Sequence, residues 1–195
     1  VEHGAAYEDG EEDKEEFSVS VGGTTVIPVH GIIGKHLSML ESQCGGVNVD
    51  TIAMHLDRAV ADESIDTIVL YIDSAGGTVT GVPELGERIA RATLSKRVIA
   101  YTDTLCASAA YWLASQADAV WASKSSEVGS IGVYMTLLNE ADKLAQEGVR
   151  VEAFQAGEYK LAGASFKPLT QEERVMFQED VDYWYDLFTT AVTSK

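Results

Sequence analysis

The sequence predicts an α/β fold built on a largely parallel sheet. Two observations carry this. Residues 67–72 form an apolar run with no polar alternation, the pattern of a strand covered on both sides in a parallel sheet. Such runs then alternate along the chain with stretches whose apolar residues recur every three to four positions, which is how parallel strands joined by right-handed crossover helices read. With 195 residues, 46% of them hydrophobic and 23% charged, the chain is long enough for one domain with a proper core.

Residues 1–21 carry charge and almost nothing to bury, so they cannot offset the entropy of ordering and are expected to form an acidic flexible arm. Residues 25–33 are β-branched and apolar, with Pro28 marking a strand end or edge. After a loop at 38–47, Asn48 or Asp50 caps a helix that buries Ile52, Leu56, Ala59 and Val60. The strand at 67–72 ends abruptly at Asp73-Ser-Ala-Gly-Gly77, and a helix at about 83–93 follows with Leu85, Ile89 and Ala92 on one side. Residues 97–102 repeat the strand pattern, 106–116 are helical in composition, and 119–122 make a third short buried strand. Residues 129–135 read as extended, 137–146 as a helix ending at Gly148, and 149–155 as a strand. A capping box, Thr170-Gln-Glu-Glu173, starts a long helix whose expected buried residues are Met176, Phe177, Val181, Trp184, Tyr185, Phe188 and Val192.

Fourteen Lys and Arg against 31 Asp and Glu leave a net charge of −17, the wrong sign for a protein that holds phosphate backbones. Nucleic acid is therefore disfavoured as a partner, and anionic membrane surfaces for the same reason. No stretch approaches the roughly 20 apolar residues needed to span a bilayer. The two cysteines, Cys44 and Cys106, are too few for a disulfide framework and lack metal-ligand spacing, so they read as free thiols. The chain opens Val-Glu-His-Gly, without Met, which reads as a fragment or processed form and leaves its compartment open.

In open α/β folds ligands sit at the carboxyl ends of strands, which directs attention to two segments. At Asp73-Ser-Ala-Gly-Gly77 paired glycines free the backbone to aim N–H groups at a bound oxygen, although the same residues suit a tight strand-to-helix turn. At Thr104-Leu-Cys-Ala-Ser-Ala-Ala-Tyr-Trp112 a serine, Ser108, is flanked by small residues near a helix start, where the dipole favours developing negative charge. Close packing explains that segment equally well. A nucleophilic serine needs a base, and His3, His30, His36 and His55 all precede it outside any recognisable motif. Among the lysines after Ser108, Lys160 follows Ala156-Gly-Glu-Tyr159 at the end of an expected strand and is the best candidate. A lysine acting as general base near neutral pH must have its pKa lowered from about 10.4 to about 7–8, which calls for a packed, partly apolar pocket.

Read together, these pieces resemble the S49 serine peptidases, the family of signal peptide peptidase A and of the phage head-maturation (capsid assembly) proteases. Four motifs match in order. Asp73-Ser-Ala-Gly-Gly77 is similar to the family's Asp-Ser-Pro-Gly-Gly turn and Ala107-Ser-Ala-Ala-Tyr-Trp112 to its nucleophile segment. Gly129-Ser-Ile-Gly-Val133 and Gly157-Glu-Tyr-Lys160 are similar to its Gly-Ser-Ile-Gly-Val strand and its lysine motif. Ala75 departs from the family's proline, and the family usually continues beyond the last helix, so the domain at 22–195 is expected to lack its C-terminal end.

The resemblance implies a ClpP/crotonase-like spiral of β-β-α units and a serine endopeptidase with Ser108 as nucleophile and Lys160 as general base. It implies an oxyanion hole from the N–H groups of Gly77 and Ala109, and no metal or cofactor. Polypeptide substrate is expected to pair along Gly76, Thr78, Ser130, Ile131 and Gly132 by strand addition, with small residues favoured at the cleaved position. Substrates implied are signal-peptide remnants or phage scaffold and capsid protein; the partners include further copies of the chain in a ring-like or dome-like homo-oligomer. The phage type would be cytoplasmic and the signal peptide peptidase type extracytoplasmic and membrane-anchored. Two other readings stay open: a crotonase-like thioester enzyme and a non-catalytic assembly protein of the same fold.

Overall fold

The computed structural model describes residues 18–40 and 45–195; residues 1–17 of the expected acidic arm, and Cys44, lie outside the described residues. The chain divides into two compact units, one ending at Gly129 and the other comprising Ser130–Lys195, where the sequence suggests one domain over 22–195.

The first unit runs β1 (Val19–Val21), β2 (Thr24–Gly34), β3 (Val47–Asn48), α1 (Val49–Ala61), β4 (Thr67–Gly77), α2 (Val82–Ala92), β5 (Arg97–Thr102), β6 (Leu105–Ala107), α3 (Ala109–Ser115), β7 (Ala119–Ala122) and β8 (Glu127–Gly129). The main sheet has the order β1-β2-β4-β5-β7, parallel except for the β1–β2 hairpin. That hairpin orders Val19–Val21, which the sequence places in the arm. The far end of β4 joins β6 and β8 in a small parallel layer, and β3 pairs with the end of β2. Each turn of the chain thus lays down a main-sheet strand, a short second strand and, in most turns, a helix. This is the β-β-α spiral the resemblance implies.

Register explains the core. Ile27, Leu70 and Ala100 lie side by side on β2, β4 and β5, and Val29 lies beside Ile72; all are at most 1% exposed. Fully burying one such Leu or Ile is worth about 1.5–3 kcal/mol. Against them pack α1, through Ile52, Leu56 and Ala59, and α2, through Leu85, Ile89 and Ala92, as their spacing predicts. Asn48 caps α1 by accepting the Asp50 N–H at 2.7 Å. Cover on both faces of β4 is not found: burial alternates along it, and Val69 and Tyr71 are only half-buried. The apolar run misled because Val and Tyr also suit a partly open sheet face.

Two more boundaries differ. The segment 73–77, expected as a turn, continues β4, because Asp73, Gly76 and Gly77 stay paired with β2 while Ser74 pairs with Cys106 in the smaller layer. Residues 106 and 107, expected as helix, belong to β6, since Cys106 pairs with both Ser74 and Val128. In β7, expected to be buried, Trp121 is instead 54% exposed.

The second unit contains α4 (Ala141–Gln146) and α5 (Gln171–Thr193). Residues 131–140 and 149–155 have no regular structure where strands and the start of a helix are expected, since no described strand supplies a ladder for them. The capping box is present: Thr170 Oγ1 accepts the Glu173 N–H at 3.2 Å and the Glu173 carboxylate accepts the Thr170 N–H at 3.0 Å. Of the seven residues expected to be buried on α5 only Phe188, at the centre of the apolar stripe, is covered; Tyr185 is 44% exposed and the others are half-buried.

Leu70→Ala is expected to destabilise the protein by about 2–5 kcal/mol in denaturant titration, since the cavity opens in a packed row between two strands. A second prediction concerns α5. The Lys167 ammonium, bonded to the Glu173 carboxylate, and the Thr170 N–H hold that carboxyl below its usual range. A carboxyl lowered in the folded state contributes stability above its unfolded-state value and loses it as pH falls through the folded one. Acidification below the ordinary glutamate range should therefore speed amide exchange in the first turn of α5, and Glu173→Gln should remove this pH dependence.

Candidate active site

The site is built where β4 passes from one layer to the other. His30 faces Asp73, but Ile32 faces Gly76, so β4 carries one residue more than β2 between the two pairs, a β-bulge. Beyond it, Gly76 adopts φ +97° and is buried. A Cβ there would stand 2.7 Å from Ser108 Cβ and 2.9 Å from both the Ala107 carbonyl oxygen and the Ala109 nitrogen, so only glycine permits the approach. Gly77 presses on β2: a Cβ would lie 1.8 Å from the Ile33 carbonyl oxygen. The bond to that carbonyl comes from the Thr78 N–H, at 3.0 Å, and Gly77 and Thr78 are both exposed. Ala75 occupies its place in β4 without the family's proline.

Ser108 stands at the head of α3 with φ 53° and ψ −125°; among the described non-glycine residues only Ser108 and Ser130 have positive φ. Backbone in such sparsely populated regions costs about 1–3 kcal/mol and persists only where neighbours enforce it. Here the Ser108 N–H is held by the Gly129 carbonyl at 2.8 Å, and its carbonyl accepts the Trp112 N–H at 2.9 Å. The hydroxyl does not cap the helix. Ser108 is half-buried between Ala107 and Ala109, and its Cβ packs directly against the Gly76 backbone. The structure therefore brings together four of the residues singled out from the sequence: Gly76, Gly77, Ser108 and Ala109.

Cys106 is a buried free thiol whose pKa burial pushes up to about 12, so it stays protonated. His30 is exposed and edge-on to Tyr71, with ring centroids 5.0 Å apart. His55 bonds to Ser18 Oγ at 2.9 Å, and burial together with the Arg58 charge lowers its pKa. His36 is exposed. Among the described residues no cluster of His, Cys, Asp and Glu is placed to hold a metal ion, and no helix is long and apolar enough to cross a membrane.

The second unit carries Ser130, Ile131, Gly132 and Lys160, all exposed. Lys160 lies in a turn after Gly157, whose φ is +102°. Lys143 pairs with Glu140 at 3.2 Å and Lys167 with Glu173, whereas Lys160 has no ion-pair partner among the described residues. Among the described residues of its own unit, no apolar pocket encloses the exposed Lys160. Sequence reasoning passed over Ser74, whose side chain bonds across the bulge; a lone serine after an apolar strand and before two glycines was its only signal.

The family model described as Peptidase family S49 matches residues 90–195, more than half of the chain, and takes in the Ser108 and Lys160 segments. The chain is 33% identical to the head-tail preconnector protein GP5 of Enterobacteria phage P21, over 88% of this chain and 34% of that protein. It is 28% identical to the capsid assembly protease C of Escherichia phage lambda, over 96% of this chain and 42% of that protein. It thus spans between 34% and 42% of the length of these relatives. Among solved structures it is similar to an enoyl-CoA hydratase from Polaromonas sp. JS666, at 19% identity and a TM-score of 0.44, covering 56% of this chain and 48% of that one. The family match runs through the serine and lysine motifs on which the resemblance was first read, and the chain belongs to peptidase family S49.

Proposed function

We propose that this chain is the catalytic part of a serine endopeptidase with a Ser108/Lys160 dyad. The observation that carries the reading is the strained backbone of Ser108, whose Cβ packs against a glycine segment in an approach that only a missing side chain makes possible. In the reaction a neutral Lys160 amine takes the proton from Ser108 Oγ as that oxygen attacks a peptide carbonyl. The N–H groups of Gly77 and Ala109 stabilise the resulting oxyanion, each worth about 3–4 kcal/mol. The lysine then passes its proton to the departing amine, leaving an acyl-enzyme that water hydrolyses, with the same amine as base. No cofactor is needed for these steps.

The alanines at 107, 109 and 110 favour small side chains at the cleaved position. Extended substrate adds as a strand along Gly76–Thr78 and along the Ser130–Gly132 backbone. The names of the phage relatives support scaffold or capsid protein as the substrate class. The dry surroundings that a neutral Lys160 needs come, on this reading, from assembly into a homo-oligomer, where the base can serve a neighbour's serine. Support comes from the apolar residues its unit leaves open, among them Tyr134 at 86%, Leu138 at 72% and Phe154 at 94% exposure.

Ser108→Ala and Lys160→Ala should each reduce cleavage of an unstructured polypeptide to background while leaving circular dichroism unchanged; full activity in either variant would exclude the dyad. Co-assembly of the two inactive variants should restore part of the activity if the base crosses between copies. Lack of recovery in mixed oligomers, verified by mass, would place both groups in one chain.

A further inference from the structure

We propose that Ser74 is a positioning residue for the oxyanion turn, holding the Gly76–Gly77 backbone at Ser108. The inference rests on the Ser108/Lys160 reading. Ser74 is 2% exposed, and its hydroxyl is fully engaged: it donates to the Gly31 carbonyl at 2.6 Å and accepts the Gly76 N–H at 3.1 Å. Both groups belong to the bulge. Where β4 carries one residue more than β2, the ladder cannot pair every N–H with a carbonyl, and Ser74 closes the gap with one oxygen.

The geometry allows little else to do so. Gly31 has φ +71°, and a Cβ there would lie 2.0 Å from the Gly45 carbonyl oxygen; Gly76 has φ +97° and would meet Ser108. A left-handed glycine at each end of the bridge leaves the backbone soft, and soft backbone does not hold an N–H to the tolerance an oxyanion needs. Ser74 also faces Cys106 across the β4–β6 pairing, two residues before Ser108. Its hydroxyl therefore ties together β2, the oxyanion segment of β4 and, through that register, the strand leading to the nucleophile. Alanine would leave the Gly31 carbonyl and the buried Gly76 N–H without this partner, and the turn would relax around them.

The test uses Ser74→Ala in the assembled protein, with Ser74→Thr as the variant that keeps the hydroxyl. Misplacing a donor by about 1 Å costs on the order of a hundredfold in rate, so kcat should fall roughly ten- to hundredfold in Ser74→Ala at unchanged KM. Affinity for a peptide aldehyde, which forms a tetrahedral adduct with the serine, should fall in step. Affinity for the matching uncleaved peptide, measured in a Ser108→Ala background, should not change, and Ser74→Thr should recover most of kcat. Unchanged kcat, an effect confined to KM, or undiminished aldehyde affinity overturns the inference. If Ser74→Ala does not fold, the same kcat and aldehyde readings on Ser74→Cys decide it. Activity surviving in Ser108→Ala alone would instead sink the dyad, whatever Ser74 does.

Discussion

The contact on which this structure turns is between two stretches of backbone: β4 at Gly76 and the start of α3 at Ser108, too close to admit a methyl group. Much of the first unit serves to produce it. The rows of Ile, Leu and Val along β2, β4 and β5 anchor β4 in the main sheet, and at the bulge Ser74 joins the smaller layer while Gly76 and Gly77 stay paired with β2. There β6 and β8 hold the approach to Ser108, and the Gly129 carbonyl pins the Ser108 N–H. Strain at one residue is affordable because a well-packed sheet surrounds it.

A serine free of capping duty, packed on the Gly76 backbone, is what the proposed nucleophile requires. Cys106, two residues before Ser108, is buried, and that burial keeps its thiol protonated.

The second unit is of another kind. Its helix α5 is firmly started by the Thr170/Glu173 box and the Lys167 ion pair, yet Phe188 and Glu173 are its only buried residues. A stripe of aromatic and aliphatic residues with only its centre covered costs solubility unless something packs on it. The proposed assembly gives one account of both this open surface and the exposed position of Lys160.

Local chemistry made much of the molecule legible before any coordinates. Helix periodicity marked Ile52, Leu56, Leu85 and Ile89 as core, Asn48 and Thr170 announced helix starts, and the spacing of four short motifs pointed to the family. These are properties of neighbouring residues, whose interactions are set within a turn or two of chain. Tertiary structure decided what depends on distant partners: that 73–77 continues a strand, that 105–107 is strand before helix, that β4 is open on one face, and that a serine hydroxyl bridges a bulge 43 residues from the carbonyl it binds. The composition of a segment states what it can pair with. Only the fold brings the partner within reach of a hydrogen bond.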